Sequence, residues 1–381
     1  MGMKECVLVV VACFLLLGCV QQGGVGTGQG PNLSGGLPEV KNIIPLNMCG
    51  DGTCDRIENS SGMCPQDCEA ENLGADSANQ TIDGKNATLY LGFMVHLEGW
   101  DDTGSNASFQ RHTEAVRNYA DVFEKHGAKL TLESKEYTDG CIKWNENVLK
   151  EMENRGHGIG VHADAGVGTN YTYVTFLDEL KAGKAELETL GVEVRHVSGI
   201  CSKLDWVSAA RDSGYKFVTG QVAYCVSSMP PGVRPAEYRD CPSPAACHQV
   251  FPGELANRTY PWRMENGVDW LTDDAQNGKV VMLPASGGLS CMWEEKSGNR
   301  SGQKCEFTKE DINASIEELE QAIALSEEGR VNTYYLSNSL GSELNSTLLD
   351  EWLARIDPYV RSGKVEWKTL PGMYDAYMES K

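Results

Sequence analysis

Positive charge is scarce in this chain. Its 33 Lys and Arg stand against 54 Asp and Glu, a formal net charge of −21 over 381 residues. A surface that acidic repels phosphate backbones, which argues against nucleic acid as a partner. Long apolar runs are scarce as well. Residues 7–18, VLVVVACFLLLG, form the one run able to enter a bilayer, and twelve residues are too few for a spanning helix, which needs about 20. Nor does the chain carry the bias of a disordered or collagen-like sequence. Hydrophobic residues make up 41% and charged residues 23%, an ordinary globular balance. The length suits one large domain with appendages.

The short apolar run has the length of a signal-peptide core, with Lys4 as a thin positive region before it. Its ending, Leu16-Leu17-Gly18-Cys19, resembles a lipobox, in which cleavage before the cysteine leaves Cys19 to carry lipid. A plain cleaved signal and a short uncleaved anchor are the alternatives, and all three export the rest of the chain. Ten N-x-S/T sequons, at Asn32, Asn59, Asn79, Asn86, Asn106, Asn170, Asn257, Asn299, Asn313 and Asn345, exceed the two or three that chance gives, roughly, and fit a surface glycoprotein. Eleven of the 14 Cys lie beyond Cys19, a usage suited to an oxidising compartment. Eleven is odd, so at least one thiol stays free or pairs outside the chain. The expectation is an extracellular protein whose lipid anchor holds it to the outer face of the cell membrane.

After the signal, residues 19–48 are rich in Gly, Gln, Pro and Asn and read as a tether. Cys49, Cys54, Cys64 and Cys68 then fall within 20 residues, together with Asp51, Asp55, Glu58 and Asp67. The C-G-D-G-x-C…C-P-x-D-C pattern of this module, 49–68, resembles one found in exported archaeal proteins. A two-disulfide knot and a Ca²⁺ site made from its carboxylates both fit. Residues 69–86 form a second polar linker. From Leu89 onward, buried-strand runs alternate with helical periodicity: LYLGFMVHL (89–97), a helix over 108–127, AKLTLES (128–134), a helix over 145–156 and HGIGVHA (157–163). The alternation continues to the C-terminus through a loop-like stretch at 223–262. Strand–helix spacing repeated this often predicts an α/β fold with a parallel sheet closed into a barrel across 87–378.

Several stretches in this order resemble the polysaccharide deacetylase superfamily. VFEKHGAKLTL matches its helix–Gly–second-strand junction, and NRGHGIGVHAD matches its R-G-H-E-I-G-x-H signature with Gly158 in place of Glu. ELKAGKAELETLG, WVSAARDSGYKFVTG and TLPGMYDAY match later segments. The resemblance covers roughly 290 residues by this reading. It implies a distorted (β/α) barrel of about seven strands, here preceded by a small disulfide-rich module. It also implies metal-assisted hydrolysis, with Zn²⁺ or a similar divalent metal at the barrel mouth and an acetylated surface glycan as substrate. Carried over by position, Glu98 stands where the family has its metal-binding Asp, and His162 stands at the first His of H-x-x-x-H.

The sequence also departs from that pattern. The second His position is Gly166, the base Asp falls on Leu97, the R-P-P-Y-G segment becomes SGICSKL (198–204), and the late Leu-His pair is replaced near Leu336–Asn338. A rebuilt site is open to the chain. His96 and Glu98 are two apart and share a strand face; with His162, and Asp164 or Asp101, they make a donor set that zinc accepts. Asp101 or Asp102 would serve as base, or simply form a solvated turn. The alternative is a catalytically inactive barrel that binds carbohydrate or serves as a structural surface protein. His157 reads as a hydrogen-bonded core residue. The seven cysteines from Cys141 to Cys305 read as staples, although Cys201 near the strand ends also allows a Cys–His dyad. Trp100, Trp144, Trp262 and Trp293 are either sugar-stacking rings or loop anchors.

Overall fold

Strand β1, Leu89–Leu97, sets the plan of the molecule. Its side chains alternate between two faces. Leu89, Leu91, Phe93, Val95 and Leu97 pack outward into a large core with Phe109, Phe123 and Trp352 from the helices. Met94 faces the other way, into a second cluster with Phe217, Val281, Leu283, Tyr335, Leu370 and Met373. A strand buried on both faces reads as an almost unbroken apolar run, as LYLGFMVHL does.

The computed structural model describes residues 87–99, 102–166, 170–241, 247–297, 305–339 and 345–381. The signal segment, Cys19, the tether, the Cys-rich module with its Ca²⁺ option and the linker lie outside the described residues, as do Trp100 and Asp101. All described residues fall within one unit, Asp83–Lys381, and no helix among them is long and apolar enough to cross a membrane.

Eight strands follow β1: β2 Thr131–Ser134, β3 Gly158–His162, β4 His196–Ser198, β5 Phe217–Val218, β6 Trp262–Met264, β7 Val280–Met282, β8 Asn332–Ser339 and β9 Val365–Trp367. They form one sheet in the order β6-β7-β5-β4-β3-β2-β1-β8, with β9 also on β1. Every pairing is parallel except β6–β7. The ladder curls but is not closed by a regular strand pair. Its seam is a bridge between Gly288 and Ser337, with backbone bonds from Ser286 N to Tyr335 O and from Leu289 N to Ser337 O. The expected distorted barrel is therefore present. Its antiparallel strand β6 starts at the last residue of the stretch read as loop and was not expected, because three residues after Pro261 carry too little alternation to register.

The helices are α1 Asn106–Lys125, α2 Glu136–Lys143, α3 Val148–Asn154, α4 Tyr173–Thr189, α5 Trp206–Asp212, α6 Met292–Lys296, α7 Lys309–Ala324, α8 Ser346–Arg361 and α9 Leu370–Glu379. Ser105, Asn147, Thr172, Asp205, Thr308, Asn345 and Thr369 each cap one, accepting from a backbone N–H of the first turn, a contribution of about 1 kcal/mol per cap. Helix α2 was not evident in the sequence, since Thr138 and Gly140 are weak helix formers. Packing explains Gly140: a Cβ there would lie 2.7 Å from Asp102 Cβ and 2.8 Å from Phe109. Helix α9 stops the N-terminal end of the barrel. Leu370 N donates to Thr131 Oγ1 (2.9 Å), and Pro371 and Met373 fill the space opposite Gly158 and Gly92. At the C-terminal strand ends, Glu98 and Asp164 keep part of their side chains exposed.

Six cysteines pair as Cys201–Cys225, Cys241–Cys247 and Cys291–Cys305. The staple reading holds for these, and the disulfide of Cys201 removes the thiol that a Cys–His dyad requires. Cys141 is a buried free thiol, and burial pushes it up to about 12, which keeps it protonated and unreactive.

His157 is the core residue expected. Its Nδ1 accepts from Leu130 N (2.9 Å) and its Nε2 lies 3.1 Å from Glu124 Oε1, so the neutral ring carries its proton on Nε2. Burial lowers the ring from 6.5 to about 4. The unfolded chain therefore binds a proton between those values and the folded chain does not. The ring's contribution is complete above about pH 6.5 and falls away as pH drops toward 4, on the order of 3 kcal/mol in all. Urea unfolding across that window should show this slope, and His157→Gln should flatten it. Equal slopes in the two proteins would contradict the assignment.

Candidate metal centre

Sheet register assembles the site. Pairing of β1 with β2 sets His96 beside Glu133, and pairing of β3 with β4 sets His162 beside Ser198. All four point into the barrel near its C-terminal end, where barrel folds collect their functional groups. Glu98 follows β1 by one residue and shares the face of His96. Gly160 is the partner of Glu133 on β3, and its missing side chain lets the His196 ring reach across from β4. A Cβ on Gly160 would stand 2.1 Å from His196 Nε2.

Two layers result. The upper layer, His96, Glu98 and His162, has side-chain exposures of 18%, 32% and 9%. One ligand atom from each lies within 4.8 Å of the others. His162 Nε2 is 2.9 Å from Glu98 Oε2, His96 Nδ1 is 3.8 Å from Glu98 Oε1, and the two rings stack at 4.2 Å. The lower layer centres on Glu133, which is fully buried. Thr219 Oγ1 donates to its Oε1 (2.6 Å) and Ser198 Oγ donates to its Oε2. His96 Nε2 and His196 Nε2 sit 3.1 and 3.2 Å from the same carboxylate, off the line of a well-aligned hydrogen bond. The His196 ring stacks on Phe217 at 4.6 Å.

The electrostatics favour positive charge here. Burial opposes ionisation of Glu133, but His196 and His96 outweigh it and hold the carboxyl far below the usual range. The hydrogen bond to His162 holds Glu98 at about 2. Burial works to lower the His96 imidazole, yet Glu133, Glu98 and Asp164 together raise it. Two ionised carboxylates and two imidazoles around one opening form a donor set suited to a divalent cation.

The remaining sequence candidates lie around this centre. Asp164 follows β3 with φ at +46°; its carboxylate is more than half exposed and pairs with Lys135 Nζ at 3.0 Å, and it is not one of the three grouped ligands. Asp102 is fully buried, with Oδ1 2.5 Å from His112 Nδ1 and its backbone oxygen accepting from Trp144 Nε1 (2.7 Å). That aspartate ties the loop after β1 to α1 and α2 and does not join the trio. Gly166 lies against the 200–201 backbone, where a Cβ would meet Cys201 O at 2.1 Å. Glu133, Ser198, His196 and Thr219 were not singled out in the sequence. The available signal was the small or polar residue at each inward position of β2 and β3: Thr131, Glu133, Gly158 and Gly160.

Among the aromatics, Trp262 is buried and donates to Trp270 O (2.7 Å), while Trp293 is half exposed. A cavity of about 590 Å³ is lined by Tyr238, Phe251, Tyr260 and Trp262, with Glu254, Asn257 and Asp273 among its polar groups.

No family model and no curated protein matches the chain. Solved structures do. A crystal structure of a candidate polysaccharide deacetylase from Mycobacterium smegmatis superposes with a TM-score of 0.50 at 14% identity, covering 78% of this chain and 92% of that one. An allantoinase (TM-score 0.49, 9% identity, 80% of this chain and 98% of that one) and a 4-α-glucanotransferase from Thermococcus litoralis (0.47, 13%, 76% and 40%) superpose less well. In fold, then, this chain is like the polysaccharide deacetylases, a distorted (β/α) barrel whose described residues include a His/Glu/His group able to hold a metal ion.

Proposed function

We propose that the protein is a metal-dependent hydrolase that removes acetyl groups from surface carbohydrate. The observation that carries this reading is the His96–Glu98–His162 group, open on its solvent side and backed by a buried carboxylate. A divalent cation held there would polarise an acetyl carbonyl and make water a better nucleophile. His96 and His162 would hold it through nitrogens that face Glu98, and Glu98 would supply the third donor. Of the described carboxylates near the trio, Asp164 reaches solvent, so it is the group assigned to take the proton from the attacking water. Lys135, 3.0 Å from Asp164, would steady that carboxylate and counter negative charge on the acetyl oxygen. Water adds to the carbonyl carbon, the bond to nitrogen or oxygen breaks, and the leaving amine or alcohol takes up the proton as acetate departs.

On this reading Asp164→Asn lowers acetate release from chito-oligosaccharides or acetylated polymers by about 10²–10⁴-fold and leaves zinc binding in place. Unchanged release with zinc bound would remove Asp164 from the base role. A second reading, a barrel that binds carbohydrate without cleaving it, is favoured by the aromatic-lined cavity beside β6, since sugar rings stack on such walls. Export, lipidation at Cys19 and glycosylation complete the proposal. In support, Asn106, Asn170, Asn257, Asn313 and Asn345, the sequon asparagines among the described residues, are all exposed.

A further inference from the structure

We infer that Glu133 is a positioning residue that fixes which nitrogen of each histidine meets the cation: Nδ1 of His96 and Nε2 of His162. The inference rests on the metal reading above, and it assigns a role to a side chain that never touches the metal itself. A fully buried carboxylate is costly unless donors surround it. Glu133 has two hydroxyl donors, Thr219 and Ser198, and the Nε2 edges of His96 and His196 stand 3.1 and 3.2 Å from it without hydrogen-bond alignment.

Each donor has a consequence for the layer above. Ser198 has one hydroxyl proton, and it points at Glu133. The Ser198 oxygen therefore accepts from His162 Nδ1, which lies 2.7 Å away. With its Nδ1 proton engaged by Ser198, His162 has only Nε2 to offer a cation, the atom that in the metal-free chain donates to Glu98 at 2.9 Å. The 3.1 Å approach of His96 Nε2 to Glu133 likewise favours a proton on that nitrogen and leaves Nδ1, 3.8 Å from Glu98, to meet a cation. One carboxylate thus sets both rings, one directly and one through Ser198, and outer partners of this kind orient metal-binding histidines. Glycine at 160 belongs to the same device, because a side chain there would displace His196 from Glu133.

The test uses the full chain with ¹⁵N-labelled histidine, with Zn²⁺ as probe. Long-range ¹H–¹⁵N spectra of the zinc-loaded protein should show His96 bound through Nδ1 with a proton on Nε2, and His162 bound through Nε2 with a proton on Nδ1. Both rings binding through the same kind of nitrogen would overturn the inference. Glu133→Gln should weaken zinc binding by about 10–100-fold, because whichever way the amide turns, one hydroxyl loses its acceptor and one imidazole loses its charged neighbour. Ser198→Ala, which keeps Glu133, covers the case in which Glu133→Gln does not fold. It should weaken zinc binding by about 10-fold and release His162 from its single tautomer. Zinc affinity within twofold of the parent in both variants would overturn the inference. A parent chain that holds no zinc defeats the metal reading instead. The metal-free spectrum then still decides the role of Glu133, which requires a proton on His162 Nδ1; an unprotonated Nδ1 overturns it.

Discussion

Gly166→His, the substitution that would install the second histidine of the H-x-x-x-H pattern, is expected to destabilise the protein and to add no zinc affinity. The reason is steric. A Cβ at 166 would lie 2.1 Å from Cys201 O, 2.6 Å from Cys201 C and 2.7 Å from Ile200 C. These are backbone atoms, so no rotamer change relieves the contact. They are also tethered: Cys201 is bonded to Cys225, and Ala165 N donates to Gly199 O at 2.8 Å. The neighbouring turn is tight as well, since Gly199 has φ at +67° and a Cβ there would approach Asp164 N to 2.7 Å. Overpacking against immobile atoms costs on the order of 3 kcal/mol, and Gly166→Ala should show most of it. Chemical denaturation and zinc titration of both variants check this. A folded Gly166→His protein that binds zinc more tightly than the parent would contradict the steric argument.

Glu98→Ala is expected to have the largest effect on the site itself. Glu98 is the one carboxylate of the trio, and it touches both imidazoles. Its ionised form is secured by the hydrogen bond to His162, which holds it at about 2, so it offers a charged donor throughout the neutral range. Alanine leaves two neutral nitrogen donors facing solvent. Loss of an outer partner costs about 10–100-fold in metal affinity, and loss of a direct donor should exceed that. Zinc binding should fall by more than about 10²-fold, with acetate release falling in step. An Asp164→Asn chain, by contrast, should keep its metal and lose only turnover. Equal zinc affinity in the Glu98→Ala protein and the parent would remove Glu98 from the ligand set.

How much of this was readable from the sequence follows from the range of the forces involved. Strand β1 was evident to the residue, because nine nearly continuous apolar positions buried on two faces leave no other reading. Glu98 and His162 were evident through the resemblance to the polysaccharide deacetylases, and the two-residue strand period then added His96 on the face of Glu98. Glu133 was hidden. In AKLTLES it looks like the solvated end of a strand, and only the register with β1 and β3 shows that it lies between His96 and Gly160. Ser198 and His196 were hidden for the same reason, since β4 is three residues long and too short to show a period. Asp102 looked free to act because its partner His112 lies ten residues on, across a turn into α1. The antiparallel β6 and helix α2 depend on tertiary packing more than on local propensity.

The central claim is that three side chains from the ends of β1 and β3 hold one divalent cation. Isothermal titration of metal-free full-length protein with Zn²⁺ tests it most directly, with the Glu98→Ala and His162→Ala chains titrated alongside. The account predicts one saturable zinc site per parent chain that is lost in both variants. A parent chain that takes up no zinc, or variants that bind it as the parent does, would contradict it.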